Sequence, residues 1–292
     1  MRTTFLLLFF LTMSTLAAQF SGGFRAGLNF VSLDGPTEMS ADGMRSFESF
    51  NNTTGFHVGA TFAYAFTDLF GVKADLMYSQ KGGEIVFEGP SYFYLYSDRQ
   101  DREGEIIFGQ LNGETDVINS YIDIPVVAYY RFGALELEGG FSAGLLAGSR
   151  GSGGKTYTTT SAFGDAEIIF NIDGSYISTT DGGAGGDGII SLSPTPPNPD
   201  VINFPDIITP YYNSNNDENL FRRLDFGLVA GVSFFLNSGL YLGVRYQHGL
   251  TDVTNGENDL RLTNEDREGR RVFNTEDADF NRAFQASVGF RF

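Results

Sequence analysis

From Phe284 to Phe292 the even positions Phe284, Ala286, Val288, Phe290 and Phe292 are apolar, and the odd positions Gln285, Ser287, Gly289 and Arg291 are polar or small. Strand side chains alternate faces with period two, so this stretch predicts a strand with one greasy and one polar face. Seven further segments, at about 20–32, 54–66, 71–81, 120–132, 135–148, 223–236 and 239–251, alternate in the same way. Their apolar sets include Phe24 and Leu28, Phe56 and Phe62, Val72 and Leu76, Ile122 and Val126, Leu137 and Phe141, Leu224 and Phe226, and Leu242 and Val244.

The connections alternate in length. Thr67-Asp68-Leu69, Gly133-Ala134 and Asn237-Ser238 read as hairpin turns, whereas 33–53, 82–119, 149–222 and 252–280 are long. Within the third long connection, Ala166 to Ile172 and Gly188 to Leu192 are short candidate strands that can pair. A compact soluble domain rarely carries several long structureless loops. The alternation suits an all-β, eight-stranded antiparallel up-and-down transmembrane β-barrel with short periplasmic turns and long extracellular loops. Each segment reaches the roughly 9–11 residues a tilted strand needs to cross a bilayer. A soluble lipocalin-like barrel would require the opposite orientation, with apolar residues inside. Pro125 falls on the inward set and loses a ladder hydrogen bond unless a bulge accommodates it.

The front of the chain supports export. Arg2, the apolar run Phe5 to Leu11 and the small pair Ala17-Ala18 fit a signal peptide over 1–18, with the barrel domain over 19–292. There is no Cys, so neither disulfides nor thiolate zinc sites contribute. The 37 Gly, 29 Phe and 14 Tyr favour short strands and turns over helices.

Sorting the charges by segment sharpens the picture. The inward strand positions hold Arg25, Lys73, Arg131, Arg245 and Arg291 against Asp75, Asp123, Glu136, Glu138 and Asp225. An eight-stranded barrel is just wide enough for its side chains to fill it, and buried charges must be paired. The expectation is a lumen charge network acting as a plug, against the alternative of a wetted, screened lumen. Outward positions between strand ends carry no charge, and aromatic residues gather near the strand ends as interfacial girdles. The formal charge of −17 resides in the long connections. Acidic loops repel nucleic acid and exclude it as a partner. They are suited to solvation, or to divalent cations at lipopolysaccharide.

Motifs for chemistry are sparse. Gly182 to Asp187 matches one copy of a calcium nonapeptide core, and a single copy cannot stack. Asn215, Asn216, Asp217 and Glu218 lack EF-hand spacing. His57 faces inward as a hydrogen-bonding partner, and His248 falls on the outward set near a rim; neither has triad partners at a recognisable spacing. No catalytic residue, metal site or cofactor is expected.

Phe24-Arg25-Ala26-Gly27-Leu28-Asn29, Tyr121-Ile122-Asp123-Ile124-Pro125-Val126, Gly243-Val244-Arg245-Tyr246 and the closing aromatic strand give the chain its family likeness. With these phrases it resembles the PorT-like outer-membrane β-barrel family of Bacteroidetes over nearly its whole length after 1–18. The resemblance implies an integral outer-membrane location, and Pro125 then looks like a family feature. Phe290 and Phe292 resemble the C-terminal assembly signal that barrel-assembly machinery reads. The implied partners are outer-membrane lipid and lipopolysaccharide, the assembly machinery, and a surface ligand or secretion complex. The leading expectation is a non-enzymatic barrel whose loops bind a ligand or brace the envelope. A narrow transporter or secretion accessory is the alternative, and a barrel enzyme a third reading.

Overall fold

The computed structural model describes residues 19–40, 42–95, 105–161, 164–175, 186–193, 220–255, 261–267, 270–274 and 278–292. The strands are β1 Phe20–Asp34, β2 Glu48–Asn51, β3 Thr53–Ala65, β4 Phe70–Leu95, β5 Glu105–Phe132, β6 Leu135–Ser161, β7 Gly164–Ser175, β8 Gly186–Ser193, β9 Leu224–Phe235, β10 Leu240–Asp252, β11 Arg261–Arg267, β12 Arg270–Asn274 and β13 Phe280–Arg291. Every ladder is antiparallel. The main one runs β1–β3–β4–β5–β6–β9–β10–β13 and returns from β13 to β1, so the hydrogen bonding forms a ring. The signal-peptide segment 1–18, the run holding Pro194, Pro196, Pro197 and Pro199, and the Asn215–Glu218 cluster lie outside the described residues, as does most of the calcium-like motif.

The alternation sets which way each strand faces. On β1, Phe24 and Leu28 stand outward at 58% and 51% exposure, while Arg25 and Asn29 between them are at 2% and 0%. The same order holds around the ring. Aromatic rings cluster on the outside at both ends, with Phe66 5.0 Å from Phe70 and Phe24 6.1 Å from Phe290 at the short-turn end. Phe56 lies 5.5 Å from Tyr78 toward the long-loop end.

Two of the long connections carry paired strands. β4 and β5 stay paired from Phe70↔Tyr130 to Leu95↔Glu105, through most of 82–119. β6 continues to Ser161 and pairs with β7, which pairs with β8. The two short segments expected to pair do so, at Ala166↔Leu192 and Ile172↔Gly186. The ladder beyond the ring is therefore a projecting sheet of β2, β4, β5, β6, β7 and β8. Pro125 interrupts rather than bulges: the β4–β5 register passes from Ala74↔Val126 to Met77↔Asp123 without pairing the residues between, because Pro donates no N–H.

In the projecting sheet the two faces exchange character without a change of phase on β4 or β5. The outer positions now include Glu84, Glu88, Asn112, Glu114 and Asp116, beside Val86 and Ile118. The inner ones become Ile85, Phe87, Leu111 and Val117, all buried. On β6 the phase does slip. Ser120 pairs with Gly148 but Tyr121 with Leu146, so Ala147 is an extra residue, a β-bulge. Inward residues change from Glu138, Ser142 and Leu146 to Ser149, Lys155 and Tyr157.

This inner layer also buries Thr115, Ser149, Thr159, Glu48 and Lys155. The Lys155 stem runs over Gly113, where a Cβ would come within 2.8 Å of Lys155 Cγ. Burial pushes the Lys155 ammonium down to about 7, with the Glu48 carboxylate opposing the shift. Between this value and the ordinary lysine range the unfolded segment holds a proton that the folded one lacks. Stability of the projecting sheet therefore rises with pH across that window and is lost as pH falls toward 7. Limited proteolysis of the projecting strands, as the ratio of Lys155→Met to wild type, is expected to favour the variant most at pH 6 and converge toward pH 10.

Candidate functional site

The interior of the ring holds charged and polar side chains in two groups. Toward the short-turn end, Lys73 Nζ donates to Glu136 Oε1 at 2.6 Å and also to Glu138. Arg245 donates from Nε to Glu138 Oε1 at 2.6 Å and from Nη1 to Asp75 Oδ2 at 2.9 Å. Arg25 reaches the same Asp75 oxygen at 3.4 Å and donates to Ser287 Oγ at 2.8 Å. Arg291 closes the group on Glu136 Oε2 at 2.9 Å. Toward the long-loop end, Lys81 lies between Asp123 at 3.1 Å and Asp225 at 3.0 Å, over the Tyr121 ring at 4.9 Å. Asn281 donates to the same Asp225 oxygen at 3.0 Å.

Of the ten residues expected in the lumen, nine sit in these groups. Arg131 does not. It is half-buried at the rim, donates to the Gly133 carbonyl at 3.3 Å and stacks over Phe235 at 4.1 Å, with no carboxylate at ion-pair distance among the described residues. It is one residue from the end of β5 and covers the buried Phe235 ring, which Arg291 also covers at 4.8 Å, in place of an ion pair. Lys81, the last residue of its expected strand segment, takes the place of Arg131 in the count. The first group has four cations against three carboxylates and the second one against two, so the balance closes only over the whole interior.

Three of the contacts pass over glycine. Arg245, Gly231 and Glu138 share one register row across β10, β9 and β6, and a Cβ on Gly231 would lie 2.9 Å from Glu138 Oε1. Asp123, Gly144 and Asp225 form another row, across which Lys81 bridges the two aspartates. His57, Gly27 and Ser287 form a third, where a Cβ on Gly27 would strike His57 Cε1 at 2.8 Å. Side chains two strands apart meet because the residue between them has none.

That third row builds an arrangement that sequence spacing concealed. His57 Nδ1 lies 2.7 Å from Asn29 Oδ1 and Nε2 lies 2.9 Å from Ser287 Oγ, across separations of 28 and 230 residues. An orienter, a base and a hydroxyl in line are the connectivity of a hydrolytic triad. Here exposures are 0% for Asn29, 1% for His57 and 6% for Ser287, and the hydroxyl already accepts from Arg25. The row ties β13 to β3 across β1. His248 is half-buried, its ring 6.3 Å from Tyr246. Among the described residues no cluster of His, Asp or Glu is disposed to hold a metal. At the closing strand Phe290 pairs with Phe24, and Phe292 N–H donates to the Gly22 carbonyl at 2.9 Å with its ring outward at 76% exposure.

Breaking a buried pair strands the surviving charge and costs about 3–5 kcal/mol. Glu138→Gln, which weakens the hold on both Lys73 and Arg245, is expected to lose a cost of that order in urea unfolding from lipid vesicles. Gly231→Val is expected to destabilise similarly by obstructing the Arg245–Glu138 bond, although it removes no charge.

Comparison with known proteins adds the family. Residues 14–255 match the profile of the outer membrane protein beta-barrel domain. No curated protein matches the chain. Solved structures similar to it include Ail of Yersinia pestis in complex with the heparin analogue sucrose octasulfate, at 10% identity and a TM-score of 0.35 over 94% of this chain and 99% of that one. OprG of Pseudomonas aeruginosa is similar at 11% identity and 0.35 over 93% and 95%. Outer membrane protein W of E. coli is similar at 12% and 0.30 over 93% and 97%. These similarities are too distant to bear on ligand or activity. The profile match covers most of the sequence, and the chain belongs to the outer membrane protein beta-barrel domain family.

Proposed function

We propose that the chain is a non-enzymatic, integral outer-membrane protein, exported by its signal peptide and folded as an eight-stranded up-and-down transmembrane β-barrel. Its short turns are periplasmic, its lumen is closed by side chains, and its projecting sheet and acidic loops are an extracellular surface for binding or for bracing the envelope. One observation carries this reading: the exchange of faces on β4 and β5. Where Val72 and Leu76 face out, the inner face bears Lys73 and Asp75; where Glu84 and Glu88 face out, the inner face bears Ile85 and Phe87. The first order suits hydrocarbon outside and the second suits water, so the strand leaves the bilayer between them. β5 has 28 residues and a tilted crossing uses about 9–11, so more than half of it stands outside.

The ion-paired interior supports closure, and the four opening and strand phrases support placement in the PorT-like branch from Bacteroidetes. Phe290 and Phe292 are read as the assembly signal. Lipopolysaccharide, with bridging divalent cations, is the natural neighbour of the acidic outer faces of β4 and β5.

Three measurements test this. The detergent-extracted protein is expected to shift mobility on heating, and to give no steady open-channel current in a planar bilayer; a large constant conductance overturns the closed lumen. Leu76→Arg is expected to cost about 2–4 kcal/mol in vesicle-based unfolding. Glu88→Arg is expected to be near neutral, and equal costs at the two positions would remove the bilayer from the account.

A further inference from the structure

The short-turn end of the interior carries a cation that the ion pairs do not use. Arg131 Nε donates to the Gly133 carbonyl at 3.3 Å, and its guanidinium carbon lies 4.1 Å from the Phe235 ring centre. Those two contacts hold the group: one pins the near nitrogen, and the other lays the fork on a ring that is itself only 5% exposed. Nη1 and Nη2 then have no partner among the described residues, and no carboxylate of those residues comes within ion-pair distance. Arg131 is half-buried at the mouth and belongs to the inward set of β5. Its open side is therefore reached from water at the turns and not from the lipid face, where Tyr130 and Phe132 stand.

The surroundings favour an anion there. Arg291 covers the same Phe235 ring at 4.8 Å and the Tyr129 ring at 5.4 Å, while its own charge is taken by Glu136 at 2.9 Å. Behind it the short-turn group already sets four cations against three carboxylates, and Arg131 adds another cation. A positive surplus beside a low-dielectric interior is screened less than in water and draws negative charge to the mouth. The size of the free charge selects among anions. One unpaired guanidinium offers parallel N–H donors and a single positive charge, which matches the two oxygens of a carboxylate. A phosphate dianion would need a second free cation, and Arg291 is already paired.

We infer that the short-turn mouth is a docking point for the carboxylate end of a peptide, gripped by the Arg131 fork over Phe235. The inference rests on the orientation proposed above only for the side from which the peptide comes, the periplasm. An interior filled by its own side chains admits the tip of a chain and no more, so a free peptide terminus suits the mouth better than a carboxylate on a folded surface.

The full chain, folded in detergent with isotope-labelled arginine, is titrated with N-acetylalanine while its arginine Nε–H resonances are followed by NMR; Arg131→Lys identifies the Arg131 signal. That signal is expected to shift saturably, at about tenfold lower ligand than the exposed Arg223 requires, and to ignore N-acetylalanine amide. Arg131→Gln is expected to abolish the response read at Arg291. Arg131→Lys is expected to weaken it about tenfold, because an ammonium lacks the fork, with heat-modifiability unchanged in both. A shift no tighter than that at Arg223, an equal response to the amide, or tighter binding of methyl phosphate overturns the dock. The side of approach has its own readout, and the chain has no Cys to confuse it. On intact cells a membrane-impermeant thiol reagent is expected to label Met44→Cys, at 88% exposure in the first long connection. It is expected to label Asp68→Cys, in the turn between β3 and β4, only after the outer membrane is opened. Asp68→Cys labelled on intact cells overturns the periplasmic source and the orientation together, whatever the titration gives.

Discussion

Closure of the ladder between β1 and β13 is the constraint from which the rest follows. A strand edge that meets hydrocarbon leaves its N–H and C=O groups without partners, at several kcal/mol each, so a sheet in a bilayer must join its own ends. The last strand is therefore not an appendage. The pairing Gly23↔Arg291 through Asp34↔Phe280 completes the backbone account. The same strand supplies Arg291 to Glu136, Ser287 to Arg25 and His57, and Asn281 to Asp225. The seam is stitched from inside as well as along the backbone. The family profile ends at residue 255, before this strand, yet every interior group draws a member from it.

Closing the ring forces the second feature. Once the outer face is given over to apolar side chains, the interior of a narrow barrel must be filled by what remains, and charges taken from water need partners. The glycines make the pairing possible. A row of three facing strands has no room for three long side chains, so Gly231, Gly144 and Gly27 clear the middle position, and arginine, lysine or histidine spans it. The high glycine content is thus partly a spacing device in the lumen, beyond the needs of turns.

The ring was legible wherever one solvent acted on one face. All eight alternating segments appear, with their short-turn ends within a residue or two, because Phe, Leu and Val at every second position leave a single way to face the strand. Legibility stopped at the rim. Past Gln80 the outward residues turn acidic, and an alternation judged by outward apolar residues reads as loop although β4 runs on to Leu95. On β6 the extra residue Ala147 inverts the phase, and no local pattern announces it. Arg131 and Lys81 exchanged roles: parity told which face each occupied and not which groups it would meet there, and the height of Lys81 in the barrel depended on how far β4 ran on. The Asn29–His57–Ser287 arrangement was illegible, since His57 and Ser287 meet only by register across Gly27 and Asn29 joins them from two residues farther along β1.

Height also explains why the interior changes character along its axis. Beside the lipid band, the inner face carries four cations and three carboxylates near the short turns, then one cation and two carboxylates farther up, with the balance closed only jointly. Opposite imbalances at two heights attract along the axis, in a medium that screens far less than water. Above the lipid band water lies outside, and the ordinary preference returns: Ile85, Phe87 and Val117 turn in and the acids turn out. A single unbroken strand thus answers to two solvents in succession. The boundary between them falls where the ionic interior gives way to the apolar layer.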